Sequence, residues 1–329
     1  MQYEKAGDPI TGLFWTKKTL EKISKELAED DIKVGKTTVG KLLKKMNYSL
    51  KCNSKKVSNG GKKLTKEEKL KRDQQFKYIK KMRKKFISKG LPVISVDTKK
   101  KELIGNFKNP GTRYRKEGDL TNDHDFITYA LGKAFPYGIY DVFRNEGFVY
   151  IGQALWDKEN KGFSSSDTPE FAAENIVRWW RDYGRKRYQE AKEILILADS
   201  GGSNGNRTRM WKLKLQKIMC NKYGFKVTVC HYPAGASKWN PVEHHLFNEI
   251  SKNWQGTPLK SFETVQKYIR TTKTKTGLKV NARIVKKNTK KGGRYPMKFL
   301  KILIFNLTKP SLKETIRSFQ IAKNEPSYF

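Results

Sequence analysis

Cysteine is scarce in this chain: three in 329 residues, Cys52, Cys220 and Cys230, with no two at the C-x-x-C spacing. An odd count without paired spacing excludes a disulfide framework and a thiolate zinc site, and it fits a reducing compartment. Long hydrophobic runs are missing too. The longest apolar stretch, "MKFLKILIFNL" from Met297, is broken by lysines and is too short to cross a bilayer, and no signal-peptide pattern opens the chain. Acids are the third shortage: 32 Asp and Glu stand against 70 Lys and Arg, a net charge of +38. An excess of that size asks for a polyanionic partner, most simply nucleic acid, with a basic ribosome-associated factor as the plain alternative. The expected setting is therefore cytoplasmic and nucleoid-associated, with no membrane partner. What is present argues against disorder: 36% of residues are hydrophobic and 12% aromatic, enough to bury a core of one large or two smaller domains.

The chain changes character along its length. Leu20, Ile23 and Leu27 recur at helical spacing in residues 16–29, with Thr16 placed to cap. A second helix is expected from about Lys36 to Met46, apolar at Val39, Leu42, Leu43 and Met46 and basic elsewhere. Two short helices around a glycine-containing turn fit a helix-turn-helix over residues 1–50, with Lys36–Lys45 as the reading helix; an ordinary amphipathic pair fits as well. Residues 51–63 read as a basic linker, and 64–89 as a long helix with Leu70, Phe76, Ile79 and Phe86 on its buried side. From Pro92 the rhythm is that of an α/β domain, expected to span 92–287. "VISVD" is a buried strand; "PYGIYDVF" and "GFVYIGQA" form a hairpin; then come helix 168–188, strand "EILILADS", a helix after "GGSNG", strand "KVTVCHYP" and a helix opening at Pro241.

Two of these strands end in an acid, at Asp97 and Asp199, and the last helix carries Glu243 in its first turn. Acids at the carboxyl ends of neighbouring strands lie on the ligand-binding rim of a sheet. If "VISVD" and "EILILAD" are adjacent, all three carboxylates can converge. Three hard oxygen donors suit Mg²⁺ or Mn²⁺ better than zinc, and two such ions serve phosphodiester chemistry. Taken singly, Asp97 also fits a loop cap, Asp199 a turn before two glycines, and Glu243 a helix N-terminus.

Three blocks, "PVISVDTKKKELIGNF", "ILADSGGSNGNR" and "HYPAGASKWNPVEHHLF", resemble the signature blocks of the Azo-type group of insertion-sequence DDE transposases; "LGKAFPYGIYDV", "ENIVRWW" and "KTKTGLKV" resemble that group as well. The likeness covers about residues 6–287. It implies an RNase H-like mixed sheet flanked by helices, preceded by an N-terminal helix-turn-helix segment, with Asp97, Asp199 and Glu243 as catalytic and metal-binding residues for two Mg²⁺ or Mn²⁺ ions. It implies transposon-end and target DNA as partners, a homo-oligomer in the DNA complex, and end cleavage followed by strand transfer. An RNase H-like metal-dependent nuclease and an inactive remnant that only binds DNA are the rival readings. Met1 falls where the resemblance places the middle of the DNA-binding region, so upstream helices are expected to be missing. Residues 288–329 depart from the group, and a slip of reading frame in the "KKNTKK" run is the expectation there; sequencing the gene across the Lys286–Lys291 codons tests it.

Other residues carry weaker signals. His244 and His245 follow Glu243 directly, so a helix does not place all three on one face, and imidazoles suit softer metals; they read as DNA-facing or packing groups. His124 in "NDHDF" and His231 at a strand end read as structural. "GGSNG" lacks the lysine and spacing of a P-loop and reads as a tight connection that aims Asp199, with Ser203 or Asn204 capping the next helix. Arg178, Arg181, Arg185 and Arg187 form either a phosphate-contacting face or a solvated helix end. Lys99–Lys101, Arg207, Arg209 and Lys238 flank the acids and are candidates for the DNA backbone. Trp239 suits base stacking, although core packing is the commoner fate of tryptophan.

Overall fold

The structure is a computed structural model that describes residues 18–50, 64–157, 159, 161–165 and 167–286, and the backbone of short strands at 6–7, 14–15 and 318–321. The chain divides into two compact units, Met1–Gly60 and Gly61–Phe329. In the first, β1 (Ala6–Gly7) pairs antiparallel with β2 (Phe14–Trp15). α1 (Leu20–Glu29) is capped by Thr19, whose hydroxyl accepts from the Lys22 N–H at 3.2 Å; Thr16, the expected cap, lies outside the described residues. α2 (Lys36–Lys45) follows. Only Ile23 and Val39 are buried, while Leu42 and Met46 of the expected apolar side are exposed. Two helices of ten residues offer each other a single line of contact, too narrow to cover the whole stripe.

The second unit opens with α3 (Lys66–Ser88), started by a capping box in which Glu68 N–H donates to the Thr65 hydroxyl and Thr65 N–H to the Glu68 carboxylate. Its Ile79, Met82 and Phe86 lie on one face at helical spacing, and Gly90 supplies the positive φ (64°) that ends the helical stretch. The strands are β3 (Val93–Thr98), β4 (Glu102–Ile104), β5 (Gly132–Asp141), β6 (Glu146–Asp157) and β7 (Gly162–Phe163). α4 (Pro169–Trp179) has Thr168 as its cap and runs through a π-helical segment, Trp180–Gly184, into α5 (Arg185–Arg187). β8 (Glu193–Ala198) leads to α6 (Arg209–Leu215), which continues as a π-helical stretch, Gln216–Lys222, and then to β9 (Lys226–His231). A π-helical opening, Val242–Phe247, passes into α7 (Asn248–Trp254), followed by α8 (Phe262–Arg270), β10 (Lys279–Val285) and β11 (Ser318–Ile321).

The main sheet runs β10-β6-β5-β3-β8-β9-β11, with β4 beside β5. β3, β5 and β6 form an antiparallel meander, while β8 and β9 extend the sheet parallel to β3. Numbered along the chain, the five central strands stand in the order 3-2-1-4-5 with only the second reversed, which is the RNase H-like arrangement. Side-chain alternation sorts the two faces. Ile94, Val96, Ile194 and Ile196 meet Phe171, Ile176 and Trp179 of α4 and Trp211 of α6. On the other face Val93, Leu195 and Leu197 meet α3, and Val149 and Ile151 meet Val242, Leu246 and Phe247 and then α8. The expected helices and strands from Pro92 to Trp254 are all present. β4, β10 and α8 are additions, and β11 sets four residues of the atypical tail antiparallel to β9. The rest of that tail, and with it the frame-slip expectation, lies outside the described residues. Among the described residues no helix is long and apolar enough to cross a membrane.

Candidate active site

β3 and β8 lie side by side in parallel, with Val96 opposite Ala198. The next position on each strand is therefore Asp97 beside Asp199. Residue parity puts both on the face away from α4 and α6, since Ile94, Val96 and Ile196 point the other way. Glu243 reaches the same edge from the π-helical opening before α7, where its carboxylate comes within interaction range of Asp97. The three acids meet in pairs: Asp199 and Glu243 each act on Asp97, and Asp199 acts on Glu243.

Their electrostatics show what the arrangement costs. Burial holds the Asp97 carboxyl well above the usual range, and the negative charges of Asp199, Glu243 and Asp167 push it further, against one favourable bond from the Thr98 N–H. Burial also raises Asp199, offset by the Asn240 amide that donates to its Oδ1 at 3.1 Å. Glu243 is raised by burial and then by Asp199, and lowered by its contact with Asp97 and then by Lys99 and His244. Like charges held this close disfavour one another's ionised form unless a cation joins them. Hard oxygen donors of this kind fit Mg²⁺ or Mn²⁺. Among the described residues, no group of three or more His, Cys, Asp or Glu side chains is placed to hold a metal ion; the three carboxylates stand as a repelling cluster, of which Glu243 lines the cleft. Asp167, ahead of α4, is a fourth carboxylate near Asp97. Nothing in its sequence surroundings singles it out, because it stands on no strand end and in no motif.

Asn240 also escaped the sequence reading. Its side chain is fully buried; besides Asp199 it accepts from the Ser95 hydroxyl, and that hydroxyl in turn accepts the Val242 N–H at 2.9 Å. The network ties β3, the end of β8 and the turn carrying Glu243 into one unit. Ser95→Ala leaves the Val242 N–H and one Asn240 lone pair buried without a partner. The expected cost is about 1–3 kcal/mol, a fall of several degrees in the melting midpoint, with a loss of more than tenfold in any carboxylate-dependent activity as the acids lose register. A variant that melts and acts like the wild type would show that the network does not set the site.

A cleft of about 490 Å³ opens at Glu243, lined also by Lys99, Lys100, Lys238, His244 and Phe247. Lys99 is buried, paired with Glu102 at 3.2 Å and set over the Trp254 ring, so its charge is partly spent. Lys101, Arg207 and Arg209 are exposed and do not line this cleft. His244 faces the cleft, while His245 stacks on Tyr140 with centroids 5.3 Å apart, its pKa lowered by burial first and then by His244. The two imidazoles thus part as helix geometry requires. His231 is buried with Nε2 against the Asn204 carbonyl, and His124 stacks on Phe126 in an exposed loop.

Ser203 and Asn204 do not cap α6, whose N-cap is Thr208. They form a 3₁₀ turn in which the Asn204 amide oxygen accepts from the Tyr137 hydroxyl at 2.8 Å and so anchors the loop behind Asp199. The arginine row is not a free phosphate-contacting face: Arg178 binds Glu174, Arg181 binds Asp182 and Arg187 binds Glu146, leaving Arg185 exposed and outside these pairs. Trp239 is 57% exposed and not packed in the core.

An RNase H-like sheet with acids gathered at one edge defines a class of metal-dependent nucleic-acid enzymes. Residues 1–314 match the family described as "Rhodopirellula transposase DDE domain", and the chain belongs to that family of DDE transposases. The match runs past Lys287, where the sequence likeness was expected to stop. Solved structures similar to this chain include "Mos1 transposase paired-end complex with left transposon end" (16% identity, 77% of this chain and 65% of that one, TM-score 0.43). Others are "Crystal structure of the Mos1 mariner paired end complex with Mn" (17%, 77% and 65%, 0.44) and "Crystal structure of a pre-cleavage Mos1 transpososome" (16%, 80% and 72%, 0.46). The chain thus spans just under two thirds of the first two of these. No curated protein matches.

Proposed function

We propose that the chain is a DNA transposase in which Asp97, Asp199 and Glu243 hold two Mg²⁺ or Mn²⁺ ions. The observation that carries this reading is the gathering of the scarce acids: in a chain of +38, carboxylates from β3, β8 and the opening of α7 are held together at one edge despite mutual repulsion. Bound there, the ions supply an activated attacking oxygen and neutralise the charge that develops on the leaving oxygen. The chain's own residues do the rest. Asn240 and the Thr98 N–H orient the two aspartates, and Lys100, Lys238 and His244 line the cleft where a DNA backbone lies. α2 reads the transposon end. The reaction is a nick at that end, then in-line attack of the freed 3′-hydroxyl on target DNA without a covalent protein–DNA intermediate, within a homo-oligomer.

The test is an in vitro reaction with DNA carrying the terminal repeats that flank the gene, with Mg²⁺ or Mn²⁺ present or chelated. Labelled strand-transfer products are expected only with metal. Nicks without transfer products would make the protein a nuclease of this fold. Binding without any nick would make it a DNA-binding remnant.

A further inference from the structure

We propose that Trp239 is a stacking platform for a nucleobase unstacked from a DNA strand beside the carboxylate cleft; this rests on the reading of the cleft as a DNA site. Among the described tryptophans, Trp179, Trp180, Trp211 and Trp254 are buried and Trp156 is half-buried, whereas Trp239 leaves more than half of its surface to solvent. An indole ring in water forfeits its burial energy, so a ring kept outside the core calls for a partner.

The surroundings say which kind. The exposed residues next to it in the chain are Ala234, Gly235, Ser237 and Lys238, small or charged. Lys238 places its ammonium 5.4 Å from the ring centroid and also lines the cleft with Glu243. An exposed flat aromatic beside a cation is a surface that single-stranded nucleic acid uses: the ring takes the base and the lysine the phosphate.

The ring is also held in place. Phe76 of α3 meets it edge-on at 6.4 Å and 77°. The Trp239 N–H donates to the Ala236 carbonyl at 2.9 Å, the Asn240 N–H to Ser237 at 2.8 Å, and the Glu243 N–H to Asn240 at 3.0 Å. One run of backbone therefore fixes the platform relative to Glu243, only four positions on, and a fixed platform loses little entropy when a base lands on it. A strand that crosses the acids with one base turned out onto Trp239 has its backbone bared for in-line attack.

The experiment compares binding of the full chain, in EDTA so that nothing is cut, to a fully paired duplex and to the same duplex with a single-stranded arm at one end. Wild type is expected to prefer the forked DNA. Trp239→Ala is expected to lose roughly 5- to 150-fold in affinity for the fork with its affinity for the paired duplex unchanged, and Trp239→Phe to keep most of the preference. A wild type that does not distinguish the two DNAs, or a Trp239→Ala protein that keeps the wild-type ratio, overturns the inference. A separate nicking assay with Mg²⁺ keeps the two readings apart. Fork selectivity that depends on Trp239 without any nicking upholds the platform and sinks the transposase reading; nicking with an unchanged ratio does the reverse.

Discussion

Asp199→Ala is expected to abolish metal-dependent nicking and strand transfer while DNA binding stays close to wild type, and Asp97→Ala and Glu243→Ala are expected to behave alike. On the proposed assignment each acid would contribute donor oxygens to a site where bound cations would supply several kcal/mol of charge stabilisation. At 1.36 kcal/mol per factor of ten, the loss is about a thousandfold or more. DNA affinity comes from lysines and arginines, and removing a negative charge from a cleft lined by Lys100 and Lys238 does not weaken it. Neutralising Asp97 without shortening it is expected to have an opposite effect on the folded state. Asp97 is half-buried and faces Asp199, Glu243 and Asp167, so in metal-free buffer at neutral pH Asp97→Asn is expected to melt higher than wild type. Gel analysis of end-labelled DNA and a thermal melt in EDTA read the two effects. Retained strand transfer in any of the three variants removes the assignment, and a lower melting midpoint for Asp97→Asn shows that the carboxylates do not strain the metal-free fold.

The acids were legible because their local context repeats. A run of buried β-branched and leucine residues ending in Asp, as in "VISVD" and "EILILAD", announces a strand whose carboxyl end reaches an edge, and Pro241 announces the helix that carries Glu243. Adjacency of the two strands was a condition in the sequence and is a fact of the fold. The supporting residues were hidden for a physical reason. Ser95 and Asn240 matter through bonds made across 145 positions of chain, and no periodicity records such a partner. β10 escaped because its alternation of exposed and buried residues is irregular, and because its parallel partner β6 lies many elements back in the chain. The arginines of α4 and α5 looked like a free cationic row in part because Glu146, the partner of Arg187, comes from β6, far off in the chain. For Trp239 the commoner fate of its residue type misled: a 3₁₀ turn at Ser237–Trp239 holds the ring out of the core.

Gly138→Ala is expected to disable the site without touching an acid. Gly138 is the direct antiparallel partner of Asp97 across β3 and β5, and the helix that carries Glu243 lies against it. A Cβ at this position would stand 2.3 Å from Phe247 Cε1, 2.6 Å from its Cζ and 3.1 Å from Val242 Cγ2. Phe247 and Val242 are both buried, so neither ring nor methyl yields without losing packing. The strand is held by pairing on both sides, which leaves the helix opening as the part that yields, and Glu243 moves with it. Overpacking of this kind costs about 1–3 kcal/mol, and a displacement on the order of 1 Å at a reacting centre costs about a hundredfold in rate. Gly147→Ala is the control. Its Cβ would meet Leu246 Cδ1 at 2.4 Å, a similar overlap against the same helix, but from a position that pairs with Tyr140, further along β5 from the Asp97 partner. Both variants should melt lower than wild type, and only Gly138→Ala should lose most of its nicking. Phe247→Leu removes the ring that the new methyl meets, so adding it to Gly138→Ala is expected to restore much of the lost rate. If the double variant is as slow as Gly138→Ala alone, or if Gly138→Ala nicks at the wild-type rate, the close packing of this helix on β5 is not what sets Glu243 against Asp97.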